Sequence, residues 1–290
     1  MPAAMQVLAI VVLAPLVQGA MKRLRARLQE KPGPPILQPY RDLAKLWTKE
    51  AVLPEGVSII ALCAPGVSLG VALTFAAALP FVDRSAGSIV DIVALAFLLG
   101  LGRFVLALAA LDMRSAFTGM AASREMTFAS LVEPALLIAL LGGAALGRGT
   151  SFASLHGVPF GLAGALAFGA FFLLLLAETA RVPIDNQETH YELTMIHEGL
   201  LLEYAGWQLA MLQAAAYVRQ LCFLLLAAIL LPGGFNPWAA VVWIVVLAGS
   251  ISVVETAFAK LRLFEIPQLL VTALLLAVTS IGLRLLGVPV

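Results

Sequence analysis

Eight predominantly apolar stretches, each near the roughly 20 residues that a helix needs to cross a bilayer, recur along this chain and limit what it can fold into. Because a bilayer offers no water to backbone groups, such stretches cross it as α-helices. Only 12% of the residues are charged and the mean hydropathy is +0.99, which excludes an ordinary soluble domain. We therefore predict an all-α polytopic membrane protein that forms one membrane domain over residues 1–290. The predicted spans lie near residues 3–20, 57–82, 89–111, 128–146, 159–178, 206–231, 237–258 and 267–287.

The first span has the length and the small closing residues, Gly19 and Ala20, of a signal peptide. Its basic residues follow the apolar stretch instead of preceding it, which is the reverse of a cleavable signal. We expect a retained helix.

Lysine and arginine are concentrated on one side of the predicted topology. Segments 21–56, 112–127, 179–205 and 259–266 carry thirteen of them, whereas the alternate loops carry Arg84 and Arg148, apart from the C-terminal end. By the positive-inside rule the basic side is cytoplasmic and both termini face outward, in a cell (inner) membrane.

The basic segment 21–56 contains an amphipathic pattern from Gln38 to Glu50, which predicts a helix lying on the membrane surface. This helix either anchors the chain to anionic lipid or forms a docking surface for a soluble partner. The candidate docking residues are Gln38, Pro39, Arg41, Asp42, Lys45 and Lys49.

Ionisable residues also lie within or beside the spans, where each costs a few kcal/mol at the bilayer centre. They are Asp91, Arg103, Glu133, Glu178, Arg219 and Glu255. Most fall in the half of their span nearest the basic side, which predicts a polar cavity open to that side. For Glu178 and Glu255 the alternative is snorkelling to the interface.

The loop after the fifth span is the most polar part of the chain, with six carboxylates and two histidines between Glu178 and Glu203. On a helix Asp185, Glu188 and Glu192 share a face and repel one another. Packed against membrane helices, such carboxylates would have raised pKa values and could exchange protons, whereas the alternative is a solvated loop. The proton-coupling candidates are Glu133, Glu178, Arg181, Asp185, Glu188, Glu192, Glu198, Glu203 and Glu255.

Catalytic and metal-binding motifs are not found in the sequence. His197 and Glu198 lack the second histidine of an HExxH pattern, because Leu201 stands in its place. Cys63 and Cys222 fall inside apolar spans without a metal-type spacing. We predict a non-catalytic subunit with no metal and no cofactor in this chain, and no nucleic-acid partner.

Two motifs carry a family resemblance. The runs Ala177–Asp185 and Leu37–Leu46 resemble the membrane subunit of complex I that contacts the hydrophilic arm. The stretch from Asp185 to Glu198 is more similar to the anchor subunit of membrane-bound nickel-iron hydrogenases, including formate hydrogenlyase. Quinone-reducing members have a longer Gly-Pro-rich connection before the Leu-Gln-Pro motif, which here directly follows Pro32–Pro35.

This resemblance implies a membrane anchor and coupling subunit that docks a soluble redox arm and links electron transfer to proton or ion translocation. Its implied partners are nickel-iron hydrogenase large and small subunits, an iron-sulfur subunit and antiporter-like membrane subunits. The nickel-iron centre and the iron-sulfur clusters would lie in those partners. Two alternatives are a quinone-binding membrane subunit of a complex I-type NADH:quinone oxidoreductase and a stand-alone ion transporter.

Overall fold

A computed structural model describes residues 2–79, 91–144, 149–155, 160–186, 194–234 and 236–286. Within these ranges the α-helices are α1 (Pro2–Leu28), α2 (Gln38–Trp47), α3 (Ile59–Ala78), α4 (Ile92–Asp112), α5 (Ala116–Ala144), α6 (Leu162–Glu178), α7 (Gly206–Ile229), α8 (Pro237–Ala257) and α9 (Ile266–Leu285). Short 3-10 helices cover Phe152–Leu155 and Glu198–Leu201.

Seven of these helices are long and apolar enough to cross a membrane by length and composition, and α6 adds a shorter apolar helix of 17 residues. A helix of that length is at the lower end of the spanning range. The prediction of an all-α polytopic membrane protein with about eight spans is therefore confirmed, and α2 is the additional short helix.

Two helix boundaries differ from the prediction. Helix α1 continues through its basic residues to Leu28, and α5 begins at Ala116 instead of near residue 128. The second difference places Arg124 and Glu125 inside a helix instead of in a loop. Both side chains are paired within the protein, Arg124 with the carbonyl oxygen of Met195 and Glu125 with Arg103. Because these partners compensate the two charges, the helix can include both residues.

Local sequence fixes several helix ends. The Asp91 carboxylate accepts a hydrogen bond from the backbone N–H of Val93 at 2.7 Å and so caps α4. The hydroxyl of Thr150 also donates to Asp91, and this bond lowers the pKa of the carboxyl. Asp91, at the membrane edge on the less basic side, therefore has a structural role.

Helix α7 lies at the centre of the bundle. Its most apolar window is 72% buried, against 22% for α8. It packs against α1, α2, α3, α6 and α8, while α9 packs against α5 and α6. Phe223 of α7 contacts Phe75 and Phe171 at ring-centroid distances of 5.3 and 6.2 Å, and these rings belong to the main apolar core.

Loops that were assigned to the basic side meet at one end of the bundle, which we call the basic end. There the backbone N–H of Ser58 donates to Asp112, and that of Leu261 donates to the carbonyl of Pro183. At the opposite end, the Gln6 amide donates to the carbonyl oxygens of Ala76 and Leu79. The helices therefore alternate in direction as the topology requires.

The predicted surface helix is present as α2, packed against α1 and α7 at the basic end. The approach is close, because a Cβ added at Gly19 of α1 would lie 1.9 Å from the carbonyl oxygen of Ile36. Pro39 is buried, and Gln38 donates to Asp42 at 2.8 Å. Arg41, Lys45 and Lys49 are exposed, so these three cations are available to a partner or to lipid.

Candidate functional site

Arg103 of α4 is the centre of a buried ionic cluster that joins three helices. Its Nε contacts Glu125 of α5 at 3.0 Å, and its two terminal nitrogens contact Glu133 of α5 at 3.1 Å and Glu178 of α6 at 2.5 Å. The side chains of Glu125 and Glu178 are 5% and 2% exposed, whereas that of Glu133 is 43% exposed. One guanidinium therefore contacts three carboxylates, and the charge of the nearby Arg219 also acts on Glu125 and Glu178.

Arg181, just after α6, is the centre of a second cluster. Its guanidinium donates to Glu255 of α8 at 3.1 Å, to Gln18 of α1 at 2.5 Å and to Gln220 of α7 at 2.6 Å. Arg25 of α1 contacts the other oxygen of Glu255 at 3.5 Å. The second cluster therefore ties α1, α7 and α8 to the segment that follows α6.

Asp185 forms a third polar centre beside the other two. Lys260 donates to its Oδ1 at 2.7 Å, and the backbone N–H groups of Ile196 and His197 donate to its Oδ2 at 3.3 and 3.1 Å. The His197 ring stands between two acids, with Nε2 3.6 Å from Glu125 and Nδ1 3.8 Å from Asp185. His197 thus connects the third centre to the Arg103 cluster.

Burial alone would raise the pKa of Asp185, but the adjacent His197 and Lys260 outweigh it and hold that pKa well below its usual range. For His197, burial would lower the pKa, and the charges of Glu125 and Asp185 raise it above its usual value. The raised carboxyl pKa that we predicted from repulsion in this loop is therefore wrong for Asp185. The spacing of the acidic residues in the sequence does not reveal that His197 and Lys260 lie beside Asp185.

Arg181 and Asp185 lie four residues apart but pair with different residues, Arg181 with Glu255 and Asp185 with Lys260. Residues 182–184 form a turn and not a continuous helix, so the two side chains point to different partners. The backbone N–H of Asp185 does donate to the carbonyl of Arg181 at 3.2 Å, which closes that turn. Each of the two residues is instead held by groups distant in sequence.

A cavity of about 260 Å³ lies between the Arg103 and Arg181 clusters, so the predicted polar cavity is present. Its charged lining comprises Lys22, Arg25, Arg103, Glu125, Arg181, His197, Glu198, Arg219 and Glu255. Its apolar wall comprises Leu106, Leu200, Leu201, Leu212 and Ala216. The cavity thus brings side chains from six helices and the loop after α6 into one polar space.

Most of the predicted coupling residues that the structure describes converge here. Glu133, Glu178, Arg181, Asp185 and Glu255 belong to the three centres, and Glu198 lines the cavity. Glu203 is half-buried and is not part of the cavity wall. Glu188 and Glu192 lie outside the described residues. Snorkelling is wrong for Glu178 and Glu255, whose side chains are 2% and 4% exposed.

Several members of the site were missed from sequence. Glu125 was placed in a loop, Lys260 was counted only for orientation, and Gln18 and Gln220 were not considered because they are neutral. A glutamine within an apolar span is itself a signal, since its amide needs partners there. Among the described residues, no three His, Cys, Asp or Glu side chains are grouped so as to hold a metal ion.

Comparisons with known proteins agree with this architecture. The chain is 32% identical to formate hydrogenlyase subunit 4 of Escherichia coli (strain K12), over 91% of this chain and 92% of that protein. It is 34% identical to hydrogenase-4 component C of the same organism, over 79% of this chain and 74% of that protein. These matches confirm the resemblance to hydrogenase-type membrane subunits.

A solved structure shares the fold. A chain of the membrane-bound sulfane sulfur reductase, an archaeal respiratory membrane complex, superimposes with a TM-score of 0.76 at 20% identity, covering 97% of this chain and all of that one. The family model described as NADH dehydrogenase matches residues 2–284, and the chain therefore belongs to this family.

Proposed function

We propose that this multi-pass membrane protein is the anchor and coupling subunit of a nickel-iron hydrogenase complex of the formate hydrogenlyase type. The two relatives named above support the type of complex. The observation that carries the coupling role is the buried ionic network at the basic end, which connects α4, α5 and α6 to α1, α7 and α8. A passive anchor has no need of so many buried charges, each of which is costly to insert.

The soluble arm docks on the basic end, where Arg41 and Lys45 of α2 and Lys49 just after it are exposed beside the cavity-lining part of α1. That arm comprises hydrogenase large and small subunits and an iron-sulfur subunit, which hold the nickel-iron centre and the clusters. The basic end faces the cytoplasm, with both termini outside the inner membrane. Antiporter-like subunits sit beside exposed apolar helix faces such as that of α8, where Val245 is 67% exposed.

Coupling follows from the charge distribution. Electron transfer in the docked arm changes the electrostatic potential at the basic end, and His197 gains or releases a proton between Glu125 and Asp185. The proton reaches the Arg103 cluster through Glu125, which contacts both His197 and Arg103, and leaves it through the exposed member Glu133. Moving one charge across about 150 mV requires about 3.5 kcal/mol, which a modest redox step supplies.

The test uses the whole complex in sealed vesicles, with hydrogen production and a potential-sensitive dye followed together. Glu125→Gln keeps an oxygen that can accept from Arg103 but removes the titrating group, and His197→Gln removes the ring between the acids. Both should lower the membrane potential generated per hydrogen produced. Glu203→Gln, outside the cavity wall, is the control. Wild-type turnover and wild-type potential in both variants would leave this subunit a passive anchor.

A further inference from the structure

The surface segment that carries α2 is in close backbone contact with the bundle at both of its ends. At one end, a Cβ added at Gly19 of α1 would lie 1.9 Å from the carbonyl oxygen of Ile36. At the other end, a Cβ added at Gly206, where α7 begins, would lie 2.3 Å from the carbonyl oxygen of Glu50. Gly206 also has a φ of +56°, which glycine adopts without strain. Residues 36–50 therefore form a strap that is seated on both α1 and α7.

The middle of the strap lies against the same two helices. The Tyr40 hydroxyl donates to the carbonyl oxygen of Val12 on α1. The Asp42 carboxylate is near enough to Lys22 of α1 and Tyr217 of α7 for its charge to act on both side chains, which line the cavity. A displacement of α2 therefore reaches α1 and α7 directly.

One nitrogen of Arg181 depends on the spacing between those two helices. Its Nη2 donates to Gln18 of α1 at 2.5 Å and to Gln220 of α7 at 2.6 Å, so it bridges them. Gln18 directly precedes Gly19, where the strap touches α1. Because an N–H···O bond weakens beyond about 3.2 Å, a separation of α1 from α7 by about 1 Å breaks one of the two bonds.

We propose that the strap transmits docking to Arg181, an inference that rests on the proposed docking of the soluble arm on α2. The exposed cations that the arm would bind are Arg41, Lys45 and Lys49. Pro39, on the other side of α2, is buried against the bundle. Attraction to an acidic partner surface therefore pulls the strap outward, away from α1 and α7. The spacing of those helices grows, and Arg181 loses its bond to Gln18.

The second cluster therefore has two arrangements. With the strap seated, Arg181 is fixed between α1 and α7, and Glu255 is shared by Arg181 and Arg25 of α1. With the strap withdrawn, α1 also carries Arg25 away from Glu255, which changes the charge balance beside the cavity. Docking thus prepares the cavity for coupling only in the assembled complex.

The test measures the distance between α1 and α7 with spin labels. Arg27→Cys in α1 and Trp207→Cys in α7, both at exposed positions of the basic end, are introduced into a cysteine-free full chain and labelled. Double electron–electron resonance is recorded for the chain in nanodiscs, alone and in the assembled complex. We expect the mean distance to grow by about 1–2 Å on assembly, which is enough to break one bond of Arg181.

Three variants separate the strap from other effects. Gly19→Ala wedges the strap away from α1, so it should lengthen the distance in the chain alone. Gly70→Ala is the matched control, because among the described residues no heavy atom lies within 4 Å of a Cβ added there. Tyr40→Phe, which removes only the hydroxyl that bonds to Val12, serves if Gly19→Ala fails to fold.

A distance that stays the same on assembly overturns the proposal. So does one that Gly19→Ala and Tyr40→Phe both leave unchanged, or that Gly70→Ala lengthens equally. These distances do not depend on charge movement, so the strap can be refuted while the Glu125→Gln and His197→Gln results still support coupling. A lengthened distance beside wild-type potential in those two variants refutes coupling and supports the strap.

Discussion

Arg103→Lys is the substitution that most directly tests how the bundle is held together. It keeps the positive charge, but one ammonium nitrogen replaces three nitrogens that each contact a different carboxylate, at 3.0, 3.1 and 2.5 Å. Those carboxylates come from α5 and α6. The substitution therefore loosens the joint between three helices without changing the net charge.

The magnitude follows from the exposure of each partner. The contact with Glu133 counts for less than about 1 kcal/mol, because an ion pair that is partly exposed gains little. Glu125 and Glu178 are buried, and leaving a buried charge without its partner costs about 3–5 kcal/mol. We therefore expect Arg103→Lys to lower the free energy of unfolding by about 3 kcal/mol or more. An average interhelical hydrogen bond in a membrane protein contributes only about 0.6 kcal/mol, so the difference is measurable.

The assay is reversible unfolding of the purified chain in mixed detergent micelles. Glu133→Gln should cost less than about 1 kcal/mol, and Arg27→Gln, which changes an exposed cation, should be neutral within error. An unfolding free energy for Arg103→Lys within about 1 kcal/mol of the wild type would refute the reasoning. So would a Glu133→Gln variant that loses as much as Arg103→Lys.

Three further predictions concern pH, topology and docking. The raised pKa of His197 stabilises the fold fully at pH values below the ordinary histidine pKa of 6.5, and this stabilisation is lost as pH rises through the folded-state pKa. Thermal melts of His197→Gln should therefore differ from wild type most at low pH and converge at high pH, and a constant difference would contradict this. In a cysteine-free background, Asn236→Cys should react with an impermeant maleimide on intact cells and Lys49→Cys should not, and the opposite labelling would reverse the orientation. Changing Arg41, Lys45 and Lys49 to Glu should release more hydrogenase activity from membranes than changing them to Gln. If the activity stays bound to membranes, these residues serve only lipid contact or folding.

Hydropathy predicted the spans because a bilayer demands long apolar helices, whatever the tertiary packing. It failed at the start of α5, where Arg124 and Glu125 have the composition of a loop but are paired inside the protein. The depth of Glu178 and Glu255 within their spans was enough to predict that they belong to polar clusters. Their arginine partners could not be predicted, because each pairing joins residues far apart in sequence.

The two arginines meet a carboxylate partner at different times during synthesis. Arg103 has partners in α5, the next helix to be made, although Glu178 follows only 75 residues later. Among the described residues, Arg181 has no carboxylate partner until Glu255 of α8, 74 residues later. At roughly 5–20 residues per second that interval is about 4–15 s, during which the emerging chain carries a buried arginine without its carboxylate. Helix α8 therefore does more than extend the bundle, because its Glu255 neutralises Arg181, which already lies inside the protein. A nascent chain stalled before α8 is exposed to quality control at this position.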